Sequence, residues 1–220
     1  MYLATHTRPD ISVATSMLAG HVESPSMKHQ RAAMKVLKYL KGQPSLGLTL
    51  RPGTSNQLSC YVDSNWGGEK GTGIRSRSGI VLLYGNAAIY FNTQLQKCVT
   101  LSSTEAEYVA FSEATKTVVW LRRVLEELEI PQNPTVVYED NSGVFKWSTG
   151  HIAQDFRRSK HVDIRYHHVR QKVRDGLIEL KKASTKEMVA NFLTKALCSE
   201  PINRAMKILQ IERDLGEEAC

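Results

Sequence analysis

Three acidic residues, Asp63, Glu107 and Asp140, stand where separate elements can bring their carboxylates to one point. Converging carboxylates are the ligand set of two-metal phosphodiester chemistry, in which two Mg²⁺ ions about 4 Å apart serve the attacking and leaving oxygens. Hard oxygen donors suit Mg²⁺, which keeps several waters and is completed by substrate phosphates. Taken singly, each acid has a plainer reading. Asp63 ends the run "LSCYVD" shortly before Gly67 and Gly68, where an aspartate commonly forms a turn. A glutamate in the first turns of a helix is favoured by the helix dipole alone. The elements that carry these acids therefore decide the matter.

Leu58, Cys60 and Val62 alternate with Ser59, Tyr61 and Asp63, the period-two mark of a strand. "PTVVYEDNSG" reads as a later strand breaking at Asp140, which shares the parity of Val136 and Tyr138; Asn141 or Ser142 can cap a helix after it. If the two strands are parallel neighbours, both aspartates emerge at the end of the sheet where open α/β arrangements bind ligands. The third acid is expected from the start of a long helix, "LSSTEAEYVAF". Glu105 and Glu107 are two residues apart and point about 200° away from each other around a helix, so one site cannot use both. Ser102 and Glu105 have the S-x-x-E spacing of a capping box, which gives Glu105 a structural role. Glu107 borders the apolar side formed with Ala106 and Phe111 and is the expected ligand.

Around these acids the chain has two textures. Residues 1–57 read as helical, with a helix over about 26–41 stopping at Gly42, and a domain boundary is placed after "GQPSLGLTLRPGTSNQ". From residue 58 come three strands, the long helix over about 104–128, a fourth strand, helices, a fifth strand "LIELKKA" and a final helix from about Thr185. That order is α+β: a mixed sheet with helices against it.

The formal net charge of +7 is uneven. Residues 1–57 hold seven Lys/Arg against two acids, and residues 157–174 hold seven against one, a distribution that suits a polyanion or solubility alone. No run of eighteen apolar residues is present and the N-terminus lacks the form of a secretory signal. Cys60, Cys98, Cys198 and Cys220 fit no zinc spacing, and free thiols in a reducing, intracellular compartment are expected.

The strings "YVDSNWGG", "RSRSG", "LSSTEAEYVAFSEA", "WLRRVL", "EDN", "RSKHVDIRYHHVR" and "FLTKAL", in this order, resemble the RNase H domain of Ty1/copia-type retrotransposon Pol polyproteins. "YLATHTRPDI" and "AAMKVLKYLKG" resemble the segment that links reverse transcriptase to RNase H in the same polyproteins. The resemblance implies an RNase H fold, a five-stranded mixed sheet flanked by helices, over residues 58–220, with a small helical segment of the reverse transcriptase before it at 1–57. It also implies cleavage of the RNA strand of RNA–DNA hybrids with two Mg²⁺ or Mn²⁺ ions, and a reverse transcriptase domain or subunit as partner. The setting it implies is a cytoplasmic virus-like particle or the nucleus, with no membrane. The family's acids fall on Asp63, Glu107 and Asp140, and its fourth on Asn191, in "VANFLTKAL", where an amide replaces a carboxylate. Asn191 with Asp140 would flank the water-activating ion. The amide removes one negative charge, and weaker binding of the second metal is expected; Glu187 is a candidate to compensate. No Tyr-x-Asp-Asp tetrapeptide is present, so polymerase activity is not expected. Two readings follow: a metal-dependent ribonuclease, or a catalytically inactive remnant that binds nucleic acid without cutting it.

Hybrid phosphates are expected to meet Arg157, Arg158, Lys160, Arg165 and Arg170 on the basic helix, with shape and 2′-hydroxyl groups distinguishing RNA from DNA. Arg75 and Arg77, before the second strand, are within reach of a phosphate or are solvated. Trp66, Trp120 and Trp147 are expected to pack against the core.

Overall fold

The computed structural model describes residues 1–51, 53, 55–68, 75–149, 160–195, 197 and 199–213, with the side chains of 160–163 left aside. Three helices open the chain, α1 (Tyr2–His6), α2 (Ser12–Ala19) and α3 (Met27–Gly42), followed by a short strand β1 (Leu46–Leu48). Next come β2 (Leu58–Asn65), β3 (Arg77–Tyr84) and β4 (Ala87–Leu95), then the long helix α4 (Ser103–Glu127), β5 (Thr135–Glu139) and α5 (Ser142–Thr149). The chain continues through α6 (Lys160–Arg174), β6 (Ile178–Lys182), a 3₁₀ turn at Val189–Leu193, α7 (Ser199–Ile208) and β7 (Ile211–Arg213).

Five strands form one mixed sheet in the order β4-β3-β2-β5-β6. β2, β3 and β4 pair antiparallel as a meander, while β5 joins β2, and β6 joins β5, in parallel. Gly85, at φ +62°, makes the tight β3–β4 turn, and a Cβ there would lie 2.6 Å from the Ser55 carbonyl oxygen. The resemblance implied this α+β architecture, the RNase H arrangement of helices around a five-stranded mixed sheet.

Strand alternation divides the core into two layers. Cys60, Val62, Ile80, Leu82 and Val137 pack with Tyr108, Phe111, Ala114 and Val118 of α4 and with Tyr166 and Val169 of α6. Val81, Leu83 and Phe91 face the other way, onto Val189, Phe192, Leu193, Ala205 and Leu209. Burial on both faces explains why β3 reads as a continuous apolar run rather than an alternating one.

Two elements differ from the sequence expectation. No helix begins at Thr185: residues 188–194 are all buried, which a one-sided helix cannot achieve, and the chain takes the 3₁₀ turn instead before α7 starts at Ser199. β1 pairs antiparallel with β7, so a strand of the N-terminal segment is hydrogen-bonded to the far end of the chain. Among the described residues no helix is long and apolar enough to cross a membrane.

Candidate active site

The parallel β2–β5 register pairs Ser59 with Val136 and Tyr61 with Tyr138, whose rings stack at 4.6 Å. Two residues further along stand Asp63, in β2, and Asp140, directly after β5, so the parallel strand directions deliver both aspartates to the same sheet end. Glu107 arrives from α4. Ser102 caps that helix by accepting the Glu105 N–H at 3.1 Å, and the Glu105 carboxylate accepts the Leu101 N–H at 2.7 Å. Glu105 is thereby held at the helix start, and Glu107 turns inward to become 7% exposed. One carboxylate oxygen from each of Asp63, Glu107 and Asp140 lies within 4.8 Å of the others.

The 3₁₀ turn and the residues on either side of it hold the cluster from the opposite face. Thr194 Oγ1 donates to Asp63 Oδ2, and Lys195 Nζ stands 3.8 Å from the same oxygen. Thr185 Oγ1 donates to Asp140 Oδ2 at 3.2 Å, while the Thr185 carbonyl accepts Asn191 Nδ2–H at 3.1 Å. Asn191 is buried beside them, and its Oδ1 has no hydrogen-bond partner among the described residues. Glu187 is exposed and accepts both the N–H and Oγ–H of Ser184, which hold its carboxyl below the ordinary value; it is an unsuitable substitute for the missing fourth acid.

Glu139 escaped the sequence reading. It ends β5 fully buried, one oxygen accepting the Asn141 N–H at 3.2 Å and the other accepting no hydrogen bond from the described residues. Burial drives the electrostatics of the whole cluster. Asp63 is raised to about 6, chiefly by desolvation, against which Lys195 and Thr194 act. Glu107 is raised to about 10 by desolvation, then by the charges of Glu139, Asp63 and Asp140. Glu139 is also raised well above its ordinary value by its burial. Carboxylates this crowded and dry have Lys195, beside Asp63, as their one paired cation among the described residues, and hard divalent cations fit the donor set: the oxygens are all carboxylate or amide, and Glu107 Oε2 and Asn191 Oδ1 accept no hydrogen bond from the described residues.

Over 197 residues, 90% of this chain, the sequence is 36% identical to the retrovirus-related Pol polyprotein from transposon TNT 1-94 of Nicotiana tabacum. It is 35% identical over 197 residues, 89% of this chain, to the Pol polyprotein from transposon RE1 of Arabidopsis thaliana. The chain belongs to the Ty1/copia-type Pol family, as an RNase H-like domain. It spans 14% and 13% of the length of those two relatives. No protein-family model matches. The foamy viral protease–reverse transcriptase, solved in complex with RNA/DNA hybrid, superposes over 90% of this chain and 25% of its own, with TM-score 0.53 and 11% identity. The N-terminal RNase H domain of a Mycobacterium tuberculosis protein covers 70% of this chain and 98% of its own, with TM-score 0.47 and 14% identity.

The basic residues of this RNase H-like domain divide unevenly. Arg157 and Arg158 lie outside the described residues, as does the side chain of Lys160, the first residue of α6. Arg170 donates to Tyr166 Oη at 2.7 Å and stacks over that ring at 4.7 Å, so it is engaged in packing. Arg165 donates to Cys98 Sγ at 3.5 Å and, with Gln94, Lys97 and Lys116, lines a cleft of about 330 Å³ between β4, α4 and α6. Glu113, which pairs with Lys116 at 2.9 Å, leaves that cleft a net positive lining. Arg77 is no loop residue: it opens β3, buried, and donates to Ser16 Oγ at 2.7 Å. Trp147 packs against the core as expected, but Trp66 and Trp120 do not, being 51% and 58% exposed. Trp66 Nε1 donates to the Thr100 carbonyl at 3.1 Å, which fixes an exposed aromatic face just beyond the strand that carries Asp63.

Proposed function

We propose that this domain cleaves the RNA strand of RNA–DNA hybrids, with Asp63, Glu107 and Asp140 holding two Mg²⁺ or Mn²⁺ ions. The observation that carries the proposal is the convergence of those three carboxylates from β2, α4 and the end of β5 within 4.8 Å. Bound there, divalent cations supply an activated water for in-line attack and stabilise the leaving 3′ oxygen. The chain's own part is positional. Thr194 orients Asp63, Thr185 orients Asp140, and the capped start of α4 directs Glu107. The Lys97–Lys116–Arg165 cleft and the exposed Trp66 face provide a phosphate contact and a stacking surface for a duplex. As a segment of a Pol polyprotein it would act beside a reverse transcriptase domain, whose copying of RNA yields the hybrid.

One observation favours a second reading, a remnant that binds the hybrid uncut: the fourth acidic position of the family holds Asn191, an amide. Incubation of a labelled hybrid with the purified chain in Mg²⁺ and in Mn²⁺ separates the two. Cutting confined to the RNA strand is expected. The Asp63→Asn variant should lose more than about a hundredfold, the upper end of what outer-shell changes at metal sites cost. A folded chain that retains the hybrid and leaves it intact would establish the remnant.

A further inference from the structure

We propose that Glu139, which lies outside the group of three carboxylates within 4.8 Å of one another, supplies from beside that metal centre the charge that Asn191 lacks. This rests on reading Asp63, Glu107 and Asp140 as that centre, and its own support lies in how Glu139 is placed.

Alternation along β5 turns Thr135, Val137 and Glu139 to one face, and that face is covered by α4. Arg122 of α4 donates to Thr135 Oγ1 at 3.0 Å, and Val137 packs in the same core as Phe111 and Ala114. Glu139 therefore approaches the sheet end from the side of Glu107, with Asp140 adjoining it in the chain. Asn191 approaches from the other face, on the 3₁₀ turn. The sheet end thus carries an amide on one side, where the resemblance implies an acid, and on the other a buried acid outside the implied set.

Capping explains only half of Glu139. One oxygen accepts the Asn141 N–H, but among the described residues the other has no hydrogen-bond partner and no cation pairs with the group. A glutamine would accept the same N–H without the penalty of burying an acid. Two divalent cations bring four positive charges. Asp63, Glu107 and Asp140 bring three negative ones, and Lys195 beside Asp63 offsets part of these. Among the described residues Glu139 is the one further buried acid near the sheet end that could redress the deficit, since Glu187 is exposed and bonded to Ser184.

Titrating Mn²⁺ into the metal-free full chain, with free Mn²⁺ read by its electron paramagnetic resonance signal, counts ions and ranks affinities without any cleavage. The wild-type chain should take up two ions. Glu139→Gln keeps the Asn141 acceptor and should weaken the weaker site about ten- to a hundredfold. Adding Asn191→Asp to that variant should restore most of the loss, because the charge returns from the opposite face. Unchanged affinity in a Glu139→Gln chain that melts cooperatively overturns the proposal and leaves Glu139 as a cap. If that variant does not fold, Asn191→Asp alone decides: tightening of only a few fold is expected where Glu139 already supplies the charge, and tightening beyond about a hundredfold overturns it. Loss of Mn²⁺ in Asp63→Asn without loss in Glu139→Gln sinks only the role of Glu139. No uptake by the wild-type chain sinks the metal centre with it.

Discussion

The carboxylate end of the sheet and the N-terminal helices carry opposite burdens. At the sheet end Asp63, Glu107 and Glu139 are 3%, 7% and 0% exposed, with Lys195 beside Asp63 alone. In and around α1–α3, where Ala4 and Val13 are buried, many larger apolar side chains face outward instead: Met1, Tyr2, Val22, Met27, Met34 and Leu37 are each more than half exposed, and α3 buries no residue at all. A groove of about 720 Å³ runs there beside Ile11, Leu18, Val36, Leu37 and Leu40. The first burden is electrostatic and exists only in the folded chain, because unfolding returns the acids to water. The second is apolar exposure, which unfolding does not relieve. Cations should therefore change the stability of the first region, whereas substitutions in the second should change association and leave stability nearly untouched.

The largest effect expected from this contrast is on pH dependence. Glu107 has an ordinary value of 4.5 and is raised to about 10 in the folded chain, so between those limits the folded state holds a proton that the unfolded state has released. Stability is then fully present below 4.5 and falls as pH rises, at about 1.4 kcal/mol per pH unit for one such group. By neutral pH the loss reaches about 3 kcal/mol. Metal-free protein should melt progressively lower from pH 5 to pH 8, and Glu107→Gln should flatten that slope and raise the midpoint at pH 7. Divalent cations require the deprotonated acids, so in Mg²⁺ the wild-type trend should reverse. A midpoint independent of pH, or one equally steep in Glu107→Gln, would mean the acids are not held as the buried cluster suggests.

This contrast also marks what the sequence could disclose. The phase of Asp63 and Asp140 was legible because both follow period-two strands, and parallel neighbours keep that phase. Glu107 was legible because the capping box assigns Glu105 elsewhere. Glu139 was not, since it sits on the opposite parity from Asp140 and only the packing of α4 over β5 reveals that an acid there is buried. The 3₁₀ turn was hidden because Val189, Ala190, Phe192 and Leu193 satisfy helical spacing around Asn191, and their burial on all sides is a property of the assembled layers. The β1–β7 pairing joins residues far apart in the chain, and "LGL" carries no signal of its distant partner. Trp66 and Trp120 followed size rather than position, and the structure leaves both outside the core.

A smaller effect should follow from closing the space at Gly79, which lies opposite Asp63 in the β2–β3 ladder. A Cβ there would stand 2.7 Å from Thr194 Cγ2 and 2.9 Å from both the Ala190 carbonyl oxygen and Leu193 Cβ. These neighbours are buried backbone and core side chains, so Gly79→Ala must push the 3₁₀ turn off the sheet. The expected loss is about 1–3 kcal/mol, the usual range for overpacking. Amide exchange should accelerate at residues 189–195, where Thr194 would no longer reach Asp63, and remain unchanged in α2 and α3. An even loss of protection along the chain would deny that the turn is a separable support of the acids.

The smallest effect on stability belongs to the apolar face. Leu37 is 57% exposed and lies on the groove, so it gains little from folding and its removal should take little away. Leu37→Lys is expected to shift the unfolding free energy by less than about 0.5 kcal/mol, as for most surface changes. Self-association is the sensitive readout, since a charged side chain in the groove adds a desolvation penalty to any apolar contact made there. Sedimentation at rising concentration should show less association for Leu37→Lys than for the wild-type chain, at the same melting midpoint. A lowered midpoint would show that the N-terminal helices draw folding energy from Leu37 after all. The two regions would then differ in the kind of interaction they use, and no longer in whether folding depends on them.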